Sequence, residues 1–198
     1  VHALSGSPSK EELRRAALAR RDEAALDVDT MLEAAEALRD NALTLPELTC
    51  PLTGPVAGYW PLRSEIDPRP ILEILADRGG TLALPVCSPQ GLLFRAWQPW
   101  QPLVPAGFGT LGPPETAAEV TPRVLLVPLA AFDRAGHRIG YGKGHYDGAI
   151  ARLSAAGALT TIGLALACQE VASVPAENHD QRLDVVVTQS EVIRPQAA

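Results

Sequence analysis

Val124-Leu125-Leu126-Val127-Pro128-Leu129, followed by Gly136-His137-Arg138-Ile139-Gly140-Tyr141-Gly142-Lys143-Gly144-His145-Tyr146-Asp147, decides how this chain is read. The first stretch is a short, continuous apolar run, the pattern of a strand buried on both faces. The second leads into a segment compatible with a helix, Tyr146 to Ala156. A glycine-rich turn between a strand end and a helix start is where backbone N–H groups converge on a phosphate. Gly140, Gly142 and Gly144 alternate around Lys143, and glycine permits positive φ and close approach of backbone to a ligand. Lys143 adds a point charge, and Asp147 just beyond is a carboxylate able to hold a magnesium ion. The spacing is G-x-G-x-G, neither a dinucleotide fingerprint nor a Walker loop. Spacing alone leaves two readings open, a phosphate cradle and a glycine-rich surface turn.

Outward from this segment the chain alternates strand-like and helix-like patterns. Ser9-x-x-Glu12 is a capping box for a first helix, with Leu13, Ala16, Ala17 and Arg20 on one face and Lys10 and Arg14 on another. A second helix is expected from about Asp29 to Leu43, burying Met31, Ala35, Leu38 and Ala42. A strand follows at Val56 to Leu62, then a helix at Pro68 to Arg78, opened by proline and stopped at Gly79-Gly80. Further strands are expected at Thr81 to Val86, Leu92 to Trp97, Thr160 to Leu166 and Asp184 to Thr188. Residues 98 to 122, rich in proline and glycine, read as a long ordered loop, and such loops in compact domains are usually functional. Short apolar β-runs alternating with helices predict an α/β fold: a single three-layer domain over residues 1–198, with a largely parallel central sheet and helices on both faces. Ligands in such sheets bind beyond the carboxyl ends of the strands, where the glycine segment falls.

The chain has 198 residues, 46% of them apolar, enough for a sizeable core. Its net charge of −6 argues against non-specific nucleic-acid binding. Basic residues nevertheless gather in two islands. Residues 10–21 set Lys10, Arg14, Arg15, Arg20 and Arg21 against Glu11 and Glu12, and residues 123–152 set Arg123, Arg134, Arg138, Lys143 and Arg152 against Asp133 and Asp147. Basic islands in an acidic chain suit a small polyanionic ligand better than a polymer. Cys50, Cys87 and Cys168 are scattered and in no metal-ligand spacing, so each is expected to be a small buried hydrophobe. No apolar run approaches the ~20 residues that span a bilayer, and the first residues lack a charged start followed by an apolar stretch. The expectation is a soluble protein in a reducing, cytoplasmic setting, with no membrane partner.

Four blocks of sequence resemble the 5-formyltetrahydrofolate cyclo-ligases, also called 5,10-methenyltetrahydrofolate synthetases. The first is Val127-Pro128, Ala131-Phe132-Asp133, Gly136, Arg138, Gly140, Gly142, Gly144 and Tyr146-Asp147. The others are Lys10-x-x-x-Arg14, Tyr59-Trp60-Pro61-Leu62-Arg63-Ser64-Glu65-Ile66-Asp67, and Val174-Pro175 with His179-Asp180, Asp184 and Thr188. They are collinear from about residue 10 to residue 190. Departures from the family pattern are His145 for a tyrosine, Gly148 for an arginine, Pro128-Leu129 for Pro-Gly, and Gly112-Pro113 for Glu-Pro.

The resemblance implies conversion of 5-formyltetrahydrofolate to 5,10-methenyltetrahydrofolate with hydrolysis of ATP, and Mg²⁺ as cofactor. By resemblance, Lys10, Arg14 and Lys143 act on the triphosphate, and Arg138, Gly140, Tyr141, Gly142, Gly144, His145, Tyr146 and Asp147 complete the ATP site. Asp147 holds the metal, with Asp184 as a second candidate ligand, and Glu65 faces the reacting nitrogens. Phe108 and Tyr146 flank a flat ring of the folate. Apart from the resemblance, Lys10 and Arg14 read as a solvated face, Glu65 as a carboxylate in water, and both aromatics as core residues. Asp133 and Arg138 are expected to pair and shape the loop, and His179 to be structural. Two other functions stay open: a folate- or nucleotide-binding paralogue with little turnover, for which His145 and Gly148 are the motive, and a sugar-phosphate enzyme on a similar scaffold.

Overall fold

In the computed structural model, which describes residues 8–196, the chain opens with helix α1 (Lys10–Ala24). Ser9 and Glu12 form the expected reciprocal cap, with Ser9 N–H donating to the Glu12 carboxylate at 2.8 Å. The buried stripe of α1 runs through Leu13, Ala17 and Arg21, not through Arg20, because this i, i+4 row packs on Ala131, Ile139 and Val174. Arg20 is exposed and donates to the Cys168 carbonyl at 2.7 Å. Helix α2 (Val28–Leu43) buries Leu38 and Ala42, with Met31 and Ala35 packed beside them as expected.

The next elements are β1 (Val56–Ala57), α3 (Arg69–Asp77), β2 (Leu82–Ser88), β3 (Gly91–Ala96), β4 (Val104–Gly107) and β5 (Thr110–Gly112). Then come β6 (Val124–Pro128), β7 (Ala131–Phe132), β8 (Arg138–Ile139), α4 (His145–Ala156), β9 (Thr160–Leu164), β10 (Val185–Val187) and β11 (Val192–Ile193). Seven strands form one sheet in the order β11-β10-β9-β6-β1-β2-β3. The five inner strands are parallel, and antiparallel β11 and β3 close the edges. The fold is therefore α/β with a largely parallel sheet. The reading of one domain over 1–198 also takes in residues 1–7 and 197–198, which lie outside the described residues.

Central strand β6 explains the layering. Successive side chains point to opposite faces, so Val124 and Leu126 join Leu38, Leu72, Leu75 and Leu84 on one side. Leu125 and Val127 join Phe94, Ile150 and Leu153 on the other. Helices α2 and α3 cover the first face and α4 the second, which makes the three layers. Two-sided cover requires an uninterrupted apolar strand, the pattern of Val124-Leu125-Leu126-Val127.

Several local expectations need correction. Strand β1 stops at Ala57, because the chain turns so that the buried Tyr59 hydroxyl donates to the Ile66 carbonyl at 2.7 Å. Strand β9 ends at Leu164, before a 3-10 turn at Ala167–Gln169. Residues 98–122 are not wholly loop, since β4 and β5 pair as a hairpin turned by Gly107-Phe108-Gly109. The glycine segment does not follow β6 directly; the β7–β8 hairpin intervenes, and β8 leads into it. Cys87 is exposed while Cys50 and Cys168 are half-buried, so none is the fully buried hydrophobe expected, and all three are free thiols. No helix among the described residues is long and apolar enough to cross a membrane.

Candidate active site

The segment from Gly140 to Gly144 bridges β8 and α4 at the carboxyl end of the sheet. Gly144 is the N-cap of α4 at φ 64°, ψ 9°, and no side chain caps the helix. Its first N–H groups are thus left for an outside acceptor, and the helix dipole favours a negative one. Gly142 has φ 87°, and a Cβ there would lie 3.4 Å from Arg14 Nη2. Both positions are in the left-handed region, where glycine alone is unstrained.

Side chains from distant parts of the chain meet this loop. Arg14 of α1 donates from Nε to the Gly140 carbonyl at 2.8 Å and also pairs with Glu11. Lys10, one turn earlier, contacts Asp180 at 2.6 Å and Glu177 at 3.0 Å. Burial favours the neutral amine of Lys10, but hydrogen bonds and charge from Asp180 and Glu177 outweigh it and raise its pKa. Asp180 shifts the other way: burial raises it, and the bonds from Lys10 and the Glu177 N–H outweigh that and hold it below its ordinary value.

Arg138 does not pair with Asp133. Its Nη2 donates to Asp147 Oδ1 at 2.9 Å, and Nη1 donates to the Gln181 carbonyl. Asp133 is consumed by its own turn and the closing segment, accepting from the N–H groups of Ala135, His137 and Val174 at 3.0, 3.0 and 2.9 Å. A buried carboxylate with three backbone donors has no need of a guanidinium. Asp147, in the first turn of α4, also accepts from Gln181 N–H at 3.0 Å.

Across the cavity, Glu65 is buried, and its Oε2 accepts from Leu62 N–H at 2.8 Å. Burial raises its pKa, opposed by that N–H, by Tyr141 and by the charge of Arg21. It is therefore not a carboxylate in open water. Phe108, at the tip of the β4–β5 hairpin, is 56% exposed and has φ 51°, an uncommon conformation for a residue other than glycine. Its ring lies 3.9 Å from Lys143 Nζ and 5.2 Å from the His145 ring. Tyr146 is half-buried, and burial pushes its hydroxyl far above the ordinary range, so it stays a neutral phenol.

These groups surround one cavity of about 590 Å³. Its lining includes Lys10, Arg14, Glu65, Phe108, Arg138, Tyr141, Lys143, His145, Tyr146, Asp147 and the three glycines Gly140, Gly142 and Gly144. Asp184 is the exception and requires correction. It sits just before β10, and its Oδ2 accepts from the N–H and hydroxyl of Thr161 at 2.7 and 2.8 Å, at the start of β9. Those are the amino ends of parallel strands, so Asp184 is not a lining residue and is in no position to share an ion with Asp147. The reading from sequence missed Trp60, Arg63, Cys87, Glu177 and Asp180, which also line the cavity. The Lys10–Asp180 contact spans 170 positions, and the only sequence signal was that both ends lie in family-like blocks.

The cavity has two kinds of wall. One is a glycine loop at an uncapped helix start with cations beside it, suited to phosphate. The other is a buried carboxylate near exposed aromatic faces, suited to a flat heterocycle with N–H groups.

Residues 6–189 match the 5-formyltetrahydrofolate cyclo-ligase family. The Escherichia coli K12 5-formyltetrahydrofolate cyclo-ligase is 34% identical over 144 residues, covering 69% of this chain and 79% of its own. The Haemophilus influenzae enzyme of the same name is 31% identical over 140 residues, covering 67% and 74%. Among solved structures, the Aquifex aeolicus 5,10-methenyltetrahydrofolate synthetase superposes with a TM-score of 0.79 at 28% identity, over 96% of this chain and 94% of that one. The Mycoplasma pneumoniae synthetase, at 22% identity, shares the fold with a TM-score of 0.70 over 92% and 99%.

Proposed function

The chain belongs to the 5-formyltetrahydrofolate cyclo-ligase family, and from that premise we propose that it converts 5-formyltetrahydrofolate to 5,10-methenyltetrahydrofolate, with ATP hydrolysed to ADP and phosphate. The observation that carries the reading is the meeting, in one cavity of about 590 Å³, of an uncapped glycine loop flanked by cations with a buried carboxylate and aromatic faces. A phosphate site alone suits many enzymes. The second wall favours a folate beside the nucleotide. We further propose that the chain works as one domain, since the segments that form both walls run between strands of the same seven-stranded sheet.

The chemical obstacle is a formamide oxygen that leaves poorly. Transfer of the γ-phosphoryl group to that oxygen breaks the bond to ADP and makes a phosphorylated imidate. Attack of N10 on the formyl carbon then expels phosphate, and N10 loses its proton. Catalysis of this kind rests on alignment and on neutralising charge. Lys10, Arg14 and Lys143 supply positive charge around the triphosphate, and the N–H groups of Gly142 and Gly144 complete the cradle. Arg138 and the rest of the loop, with Tyr141, His145 and Tyr146, orient it. Glu65 accepts from the N–H groups of the folate, with Phe108 and Tyr146 against its rings.

Magnesium fits the residues present. Asp147 lines the cavity in the first turn of α4, and among the described residues its Oδ2 takes no hydrogen bond. One available carboxylate oxygen beside a phosphate cradle suits Mg²⁺, which takes one or two carboxylates with phosphates and water. Among the described residues no three His, Cys, Asp or Glu side chains gather into a metal cage. When bound, the ion would neutralise charge on the transferring phosphate.

The test is the absorbance of methenyltetrahydrofolate when purified protein is given 5-formyltetrahydrofolate, ATP and Mg²⁺. Product that requires all three supports the proposal. Folate and ATP binding without product identifies a paralogue, and binding of neither removes the reading.

A further inference from the structure

Arg21 is 1% exposed, the largest fully buried side chain among the described residues. Its Nη2 donates to the Tyr141 hydroxyl at 2.8 Å and its Nε to Ser64 Oγ at 3.0 Å, while Nη1 is buried with no partner among the described residues. Ser64 in turn donates to Asp22. Tyr141 lies between Gly140 and Gly142 of the loop, and Ser64 is the residue before Glu65. One guanidinium on α1 therefore touches both walls of the cavity from behind.

Burying a guanidinium against two neutral hydroxyls, with one donor unsatisfied, is a poor way to gain stability. A Met or Leu would fill the space at lower cost. What arginine adds is a rigid planar fork that fixes two acceptors relative to each other, which a lysine point charge does not do.

We propose that Arg21 is a positioning residue that sets the separation between the nucleotide-binding loop and Glu65, acting through Tyr141 and Ser64. The proposal rests on the ATP and folate reading of the cavity. In-line transfer needs the formyl oxygen within about 3–3.5 Å of the phosphorus, and a shift of ~1 Å costs about a hundred-fold in rate. Each substrate still binds its own wall if the strut is lost, so the effect falls on turnover. The ionisation of Glu65 is a second reporter. The groups facing it are Arg21 of α1, Tyr59 and the Leu62 N–H of its own segment, Tyr141 of the loop, and Tyr146 of α4. Of these, the Leu62 N–H, Tyr141 and Arg21 favour its charged form.

The experiment compares wild type, Arg21→Lys, Tyr141→Phe and the double variant in steady-state turnover across pH, with ATP and folate binding measured separately by calorimetry. Loss of one charge-assisted hydrogen bond predicts a fall in kcat of about ten- to hundred-fold, with each binding constant of Arg21→Lys, which lies behind the cavity, within a few-fold of wild type. The acid limb of kcat should move to higher pH in Tyr141→Phe, which loses a hydrogen bond to Glu65, and stay near wild type in Arg21→Lys, which keeps the charge. The double variant should be no worse than the poorer single one, because both act through one path. Wild-type kcat and an unmoved acid limb in Tyr141→Phe, whose side chain is 41% exposed, would overturn the proposal. So would Arg21→Lys that lowers only thermal stability, or losses that multiply in the double variant. An inactive wild type removes the functional reading itself, whereas an active wild type with indifferent variants removes only the strut.

Discussion

Gly142→Ala probes the cradle at its most constrained point. The native φ of 87° forces the alanine into the left-handed region, at about 1–2 kcal/mol. For a chain of this size that lowers the melting temperature of the ligand-free protein by roughly 2–8 °C. The new methyl also reaches van der Waals contact with Arg14 Nη2 at 3.4 Å, between the loop and a cation proposed to meet the phosphate. Loss of one charge-assisted phosphate contact raises the ATP dissociation constant about ten- to hundred-fold. At ATP equal to a hundred times the wild-type constant, ligand stabilisation is ~2.7 kcal/mol, and it falls to ~1.4 or ~0.4 kcal/mol in the variant. Gly144→Ala is the comparison. It carries similar backbone strain at φ 64°, but its Cβ meets nothing within 4 Å, so its loss of ATP stabilisation should be the smaller of the two. Thermal unfolding of the three proteins with and without ATP reads both quantities. A Gly142→Ala protein with unchanged melting temperature and an unchanged ATP-induced shift would refute the geometry of the loop and the phosphate site built on it.

Three further changes are informative. Asp147→Asn should abolish magnesium-dependent turnover and also lower stability by about 1–3 kcal/mol, because the nearly buried Arg138 loses a charged partner; turnover and denaturant unfolding check the two parts, and wild-type rates across a magnesium titration would contradict the first. Lys10→Met should weaken ATP binding and destabilise the protein at neutral pH. Burial works against ionised Asp180 but Lys10 and the Glu177 N–H outweigh it and lower its pKa, so that stabilisation is present above the ordinary value of 3.8 and is lost as pH falls through the lowered one. The stability gap to wild type should therefore be open at pH 7 and close below pH 3.8, and a gap that persists in acid would contradict the pairing. Glu65→Gln should abolish cyclisation while retaining ATP binding. Burial raises the folded pKa of Glu65, so its contribution is full below 4.5 and is lost as pH rises through the raised value; the variant should match or exceed wild-type stability at neutral pH and lack that rise on acidification.

Much of the fold was legible because apolar pattern and burial have the same cause. Val124 to Val127 must be apolar at every position since both faces of β6 are covered, and Leu38 and Ala42 mark the covered side of α2. Short elements were not legible. A two-residue pair such as Ala131–Phe132 with Arg138–Ile139 has no period to detect, and it exists because Asp133 gathers the N–H groups between its strands. The β4–β5 hairpin hid in a segment whose prolines and glycines suggested loop, although Gly107 and Gly109 are what let the chain reverse there.

The candidate site divides along the same line, between local geometry and distant pairing. Positive φ at Gly142 and Gly144 follows from alternating glycines before a helix, and the chain between fixed points decides it. Partners of charged side chains are chosen in three dimensions. Arg138 and Asp133 are near neighbours in sequence, yet Asp133 is satisfied by backbone, and Arg138 turns to Asp147 nine positions on. Asp184 shares a sequence block with Asp180, but three residues after Gln181 the chain has moved along β9 to its amino end, so one acid reaches Lys10 and the other reaches Thr161. Arg21 shows the limit most clearly. In sequence it is one of five basic residues in a helical island, while in space it alone is sealed behind the cavity with a donor to each wall. A charge count cannot separate a solvated arginine from a buried one. Helical spacing could have done so here, because Arg21 continues the row of Leu13 and Ala17, and a charged residue on a buried row calls for a partner to be sought.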